Sequence, residues 1–168
     1  MSTNNAPSGA MPINACRQAA KFRVMDLTGK DNIQLAEEGK FRRNSHLGKD
    51  VYQVEITNLG KDLSECQNHA QSGDLLFFND LNQQKPSKEN PMPPVLVEKI
   101  LTTRLGRFPN FIPSQAEFDG ILEQNEDITG YPLYEARWKN KENSEDYISI
   151  TLNPASEEIF NYVKKWSL

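Results

Sequence analysis

The chain has 168 residues, 37% of them hydrophobic and 25% charged, with a net charge of −4 and a pI of about 5.3. That length fits one domain or two very small ones, with enough apolar residues for a core. No apolar run approaches the roughly 18 residues of a membrane span, so no membrane partner is expected. The acidic balance also disfavours a strong duplex-DNA binder.

Met1 to Pro12 has neither a basic n-region nor an apolar h-region, so it does not read as a secretory signal, and a cytoplasmic setting is expected. Two cysteines, Cys16 and Cys66, are too few for a disulfide framework and read as free thiols. Residues 1–18 lack hydrophobic periodicity and read as a flexible tail. From Lys21 the pattern turns strand-like, with Phe22 and Val24 alternating with Arg23 and Met25 until Thr28-Gly29 breaks the run. Ile33 and Leu35 suggest a second short strand.

The segment Gly39–Asp50, GKFRRNSHLGKD, is polar, basic and glycine-bounded, as an exposed hairpin loop would be. Tyr52, Val54 and Ile56 then alternate with Gln53, Glu55 and Thr57 in a half-buried strand. Leu59, Leu63, Cys66 and Ala70 fall on one helical stripe, which predicts a helix near 61–71 ended by Gly73. Leu75–Phe78 reads as a buried strand, Asn82–Pro94 as a proline-rich loop, and Val95–Leu105 as a further strand.

In the last third, Ser114-Gln115-Ala116-Glu117 has capping-box spacing ahead of Phe118, Ile121 and Leu122, which predicts a helix weakened by Gly120. Leu133–Trp138 and Tyr147–Leu152 read as a β-hairpin joined by Asn140–Glu145. Asn153-Pro154 reads as the start of a final helix burying Ile159, Phe160, Val163 and Trp166. YQVEITN at Tyr52 resembles YISITLN at Tyr147, but their apolar faces are out of register by one residue. The pair therefore reads as recurrence of a strand–helix unit without establishing a repeat.

A catalytic set is missing from the pattern. Nucleophilic catalysis needs a nucleophile beside a base, and neither His46 nor His69 lies in a local nucleophile signature. Cys66 and His69, three apart, could offer two metal ligands on a helix, but a structural zinc needs four. The adjacent acids Glu37-Glu38, Glu126-Asp127, Glu145-Asp146 and Glu157-Glu158 read as solvated or capping charge. No glycine-rich phosphate loop occurs. The expectation is a non-enzymatic protein with no cofactor and no metal.

One stretch carries a resemblance. Val51–Leu81, VYQVEITNLGKDLSECQNHAQSGDLLFFNDL, has a strand, Gly60-Lys61, a predicted short helix, Ser72-Gly73 and a buried strand, preceded by FRVMDLTGKD at Phe22–Asp31. It resembles the centre of the bacterial and mitochondrial single-stranded DNA-binding protein family, over roughly residues 22–81. Leu59 stands where that family often has a base-stacking aromatic, and no acidic C-terminal tail is present. The resemblance implies a mainly β fold with α: an OB-like five-stranded barrel with an inserted helix. The expected organisation is a tail at 1–18, the barrel at 19–105, and a helix, β-hairpin and C-terminal helix at 106–168 packed on the same core.

Single-strand binding needs cations that track phosphates and aromatics that stack on bases. Lys40, Arg42, Arg43, His46 and Lys49 form the densest basic cluster, with Phe41 inside it and Tyr52 beside it, and Lys99, Arg104 and Arg107 precede Phe108 and Phe111. The expected nucleic-acid-binding residues are Lys40, Phe41, Arg42, Arg43, His46, Lys49, Tyr52, Arg104, Arg107 and Phe108. The competing reading is a protein-interaction or assembly module that binds a protein partner through exposed strand edges. Homo-oligomerisation stays open under both.

Overall fold

A computed structural model describes residues 9–36, 40–58, 62–81, 93–105, 111–125, 132–153 and 158–167. The chain divides into two compact units, Met1–Asn82 and Gln83–Leu168. Among the described residues each is one helix followed by antiparallel strands, so the protein is mainly β with α.

In the first unit, helix α1 (Ile13–Thr28) precedes strands β1 (Ile33–Leu35), β2 (Lys40–Asn44), β3 (Lys49–Asn58), β4 (Asp62–His69) and β5 (Leu75–Asp80). The sheet runs β3-β4-β5, with β1 and β2 both pairing along β3. The helix forms because Cys16, Ala20, Val24 and Leu27, spaced four, four and three apart, share one buried stripe. Gly29 ends it in the left-handed conformation (φ 74°), donating its N–H to the Met25 carbonyl.

Val54 and Ile56 on β3, Cys66 and Ala70 at β4, and Phe78 on β5 are buried, and α1 packs on these strands. The β2–β3 turn is held by Asn44, whose Oδ1 accepts the Leu47 N–H at 3.0 Å, with Gly48 at φ 67°.

In the second unit, α2 (Pro94–Leu105) precedes β6 (Ala116–Asn125), β7 (Pro132–Asn140), β8 (Tyr147–Asn153) and β9 (Glu158–Lys165), paired in that order. Pro94 occupies the first helical position, where its missing N–H costs nothing. The core is made by Val97, Leu101, Phe111, Tyr134, Ala136, Trp138, Ile148, Ile150, Leu152, Ile159, Tyr162 and Trp166.

Several expectations are corrected. The β-structure is open and does not close on itself, so the OB-like barrel is not formed. The predicted barrel boundary at 105 gives way to a division at Asn82, and α2 belongs with the C-terminal strands. The supposed tail at 1–18 and strand at 22–27 give way to α1 from Ile13 onward; residues 1–8 lie outside the described set.

The predicted helix at 61–71 is strand β4. Its buried face is Ser64, Cys66, Asn68 and Ala70, and a four-residue step such as Cys66 to Ala70 fits period 2 as well as period 3.6. The strand expected at 95–105 is α2. The helices expected after Ser114 and after Asn153 are β6 and β9. Both strands carry an extra residue relative to their partners, Asp119 on β6 and Phe160 on β9. Such a bulge turns same-face spacing from two into three, so Phe118/Ile121 and Ile159/Tyr162 imitate helical periodicity. Trp166 is buried as expected, and Val163 is half-buried. The β7–β8 hairpin agrees with the sequence pattern, whereas the segment expected as a hairpin loop at 39–50 holds strand β2, a turn and the start of β3.

Candidate functional site

The basic cluster lies on one β-hairpin in the first unit. Pairing along β2–β3 sets Lys40 opposite Gln53, Phe41 opposite Tyr52, Arg42 opposite Val51, Arg43 opposite Asp50 and Asn44 opposite Lys49. The strand period places Lys40 and Arg42 on one face and Phe41 and Arg43 on the other. Arg42 Nη1 donates to Gln53 Oε1, and Arg43 is 3.2 Å from the Asp50 carboxylate. His46 is exposed in the turn, and Lys49 is half-buried where β3 begins.

The two aromatics differ from the expectation. Tyr52 is 3% exposed, and its hydroxyl donates to the Met11 carbonyl at 2.9 Å. Burial, and then the neighbouring Cys16, push its phenol above the ordinary range. Phe41 packs edge-on against Tyr52, with centroids 5.9 Å apart. Tyr52 therefore pins the chain entering α1 to the sheet and has no ring face open to a base. Arg104 is on α2, in the other unit, while Arg107 and Phe108 lie outside the described residues. The two basic clusters thus belong to different units.

The groups considered for chemistry have structural positions. His69 Nδ1 accepts the Gln71 and Ser72 N–H groups at 3.1 and 3.3 Å, which holds the β4–β5 turn. Cys66 and His69 are an odd number apart on a strand, so their side chains point to opposite faces and cannot share a metal. Burial raises the Cys16 thiol to about 12 and also raises Cys66, where the Glu65 charge adds to the effect.

Asp146 anchors the β7–β8 turn, accepting Ser167 Oγ at 2.6 Å and Asn140 Nδ2 at 3.1 Å. Its burial alone would raise the carboxyl, but the Ser167 and Asn140 bonds and the Lys165 charge outweigh that and hold it below its ordinary value. Glu37-Glu38 and Glu126-Asp127 lie outside the described residues.

A second surface, missed by the sequence reading, is in the other unit. Val95 and Glu98 of α2 face Phe118, Asp119, Gly120 and Ile121 of β6 across an open groove of about 560 Å³. Val95 is 77% exposed. Among the described residues β6 pairs only with β7, which makes it an edge strand. The only sequence signal was an apolar run, Val95-Leu96-Val97, too dense for one face of either a helix or a strand.

The fold has a counterpart. The chain is similar to the Bacillus megaterium YpeB C-terminal domain, with a TM-score of 0.60 and 12% identity over 93% of this chain and 64% of that chain. It spans about 64% of that structure's length, and a likeness at this identity shows fold alone. No protein-family model and no curated protein matches the chain. Among the described residues no helix is long and apolar enough to cross a membrane.

Proposed function

We propose that the chain is a non-enzymatic protein-interaction module that recognises a partner through the exposed apolar positions and sheet edge of its second unit. The observation that carries this reading is Val95, 77% exposed on α2 beside the edge strand β6, with Leu122 of that strand 55% exposed. Large apolar side chains left in water beside an open strand edge are a recurring feature of surfaces that receive a partner. A peptide-display library panned against the full chain tests it. A reproducible consensus that binds in solution is expected; no enrichment with well-folded protein overturns the reading.

A second reading, binding of single-stranded nucleic acid, is favoured by one observation: Lys40, Arg42, Arg43, His46 and Lys49 all belong to one hairpin. Titration of labelled oligo-dT at low and moderate salt discriminates the two. Binding that weakens with salt, and whose salt dependence flattens in Arg42→Ala/Arg43→Ala, would favour nucleic acid. No binding at low salt removes it.

A further inference from the structure

The β2–β3 hairpin concentrates positive charge beside an open strand edge. Among the described residues β2 pairs only with β3, so its other edge has no strand on it. Lys40, Arg42 and Lys49 share one face of the hairpin, because Lys40 lies opposite Gln53, Arg42 opposite Val51 and Asn44 opposite Lys49. Lys40 and Arg42 are exposed, and neither has an ion-pair partner among the described residues. Arg42 gives one N–H to the neutral Gln53 amide, which leaves most of its guanidinium fork for another acceptor.

The described acids on that face of the strands are Glu55 and Glu65, which lie opposite each other beyond Gln53. Glu65 also takes a bond from Gln53 Nε2 at 3.4 Å. The hairpin end of the face is therefore basic. The other face of β2 is different. Phe41 is half-buried against the Tyr52 ring, and Arg43 is held by the Asp50 carboxylate at 3.2 Å.

These features select an occupant. A second copy of this edge would set Lys and Arg against Lys and Arg, and any basic strand would meet the same repulsion. A nucleic acid would use the cations but not the open backbone edge, and the buried Tyr52 offers it no ring. An extended acidic segment uses both. Opposite Lys40, Phe41 and Arg42 it would carry acid, apolar and acid in turn.

We propose that the open edge of β2 receives an extended peptide segment of alternating acidic and apolar residues, added as a strand with its carboxylates on Lys40 and Arg42. This surface is in the first unit, and it stands or falls apart from the apolar surface of the second. Main-chain hydrogen bonds supply affinity, and the Arg42 fork and the Lys40 charge supply selection.

The test is fluorescence anisotropy of the full chain with a labelled peptide of alternating Glu and Val, set against one of alternating Lys and Val and against labelled oligo-dT of equal charge. The Glu-Val peptide should bind saturably, and the Lys-Val peptide should bind at least about tenfold more weakly. Lys40→Glu and Arg42→Glu, both at exposed positions, should each lower Glu-Val affinity about tenfold. Arg43→Ala, on the other face, and Lys139→Ala, in the second unit, should leave it nearly unchanged. Backbone amides of β2 should gain hydrogen-exchange protection on binding.

Equal binding of both peptides, indifference to Lys40→Glu and Arg42→Glu, or protection confined to other strands overturns the assignment. Oligo-dT binding as tight as the peptide's, with the same dependence on Lys40 and Arg42, overturns it too, because the hairpin would then attract any polyanion without accepting a strand. No binding of the Glu-Val peptide at low salt also sinks it.

Discussion

In the first unit the buried stripe of the helix includes two small side chains, Cys16 and Ala20, alongside Val24 and Leu27, and Cys66 and Ala70 on the β4 side are completely buried as well. Helix α1 packs across β1, β3, β4 and β5. In the second unit α2 packs chiefly on β6 and β7, and the buried side chains of the sheet are large: Ile148, Ile150, Leu152, Ile159 and Tyr162. The order of elements is the same, helix then antiparallel meander, but the packing is not. A helix on small residues can lie close and close off the inner face. A helix packed on β6 and β7 leaves a groove beside Val95 in the second unit.

If the second interior depends on large side chains, shortening one should have the greatest effect. Ile150→Ala removes buried methyl groups at a position with no exposure and should cost about 2–5 kcal/mol. Trp138 and Trp166 both lie in that unit, so tryptophan fluorescence during denaturant unfolding reads the change there. A loss under about 1 kcal/mol would mean the site collapses onto the gap, and the contrast between the interiors would fail.

The converse change belongs to the first unit. Ala20→Leu adds bulk to a helix face with no room and should cost about 1–3 kcal/mol by overpacking. Circular dichroism of thermal unfolding would register it. A neutral or stabilising result would mean the helix can ride further from the sheet.

The same contrast explains what could be read from the chain. The β7–β8 hairpin was legible because Tyr134, Ala136 and Trp138 face Leu152, Ile150 and Ile148 at strict alternation with a polar turn between. Helix α1 was not, since its buried stripe is built from Cys16 and Ala20, while the conspicuous apolar residue of that stretch, Phe22, is 59% exposed. Strand β4 hides Ser64 and Asn68 on its inner face, with Asn68 Nδ2 donating to the Gly73 carbonyl at 2.9 Å, so hydrophobicity does not mark its period.

Strands β6 and β9 were misread because a bulge shifts their spacing. The basic hairpin was visible as composition, but its side-chain pairings were not. Arg43 opposite Asp50 and Phe41 opposite Tyr52 follow only once the β2–β3 register is known. The groove joins residues of α2 and β6, segments whose types were exchanged in the sequence reading.

A smaller effect is expected at the β7–β8 turn, which in the second unit is tied to the C-terminal strand's end by Asp146 and Ser167. Asp146→Asn keeps the shape but weakens the acceptor and should cost about 1–2 kcal/mol near neutral pH. The folded carboxyl is held below its ordinary value of 3.8. Its contribution is therefore complete above that value and is lost as pH falls through the lower, folded value. The gap between wild type and variant should be constant near neutrality and shrink below about pH 4. A gap that widens in acid would reverse the sign assigned to this carboxyl.

The smallest effects should come from the two exposed ion pairs, one in each unit: Arg43–Asp50 and Lys139–Asp119, each at 3.2 Å. Their side chains are 60% and 38% exposed in the first pair and 50% and 40% in the second. Water screens charges at that exposure, and holding two long side chains together costs rotamer freedom, so each pair should contribute only about 0.2–1 kcal/mol. Arg43→Ala and Asp119→Ala should therefore unfold within that range of wild type, with the difference reduced further by salt. This separates stability from recognition at the hairpin: Arg43 can be removed to test binding of oligo-dT without confusing lost binding with lost fold. A cost above about 2 kcal/mol for either, larger than an exposed pair supplies, would mean that the pair is shielded from water and helps hold its strands in register.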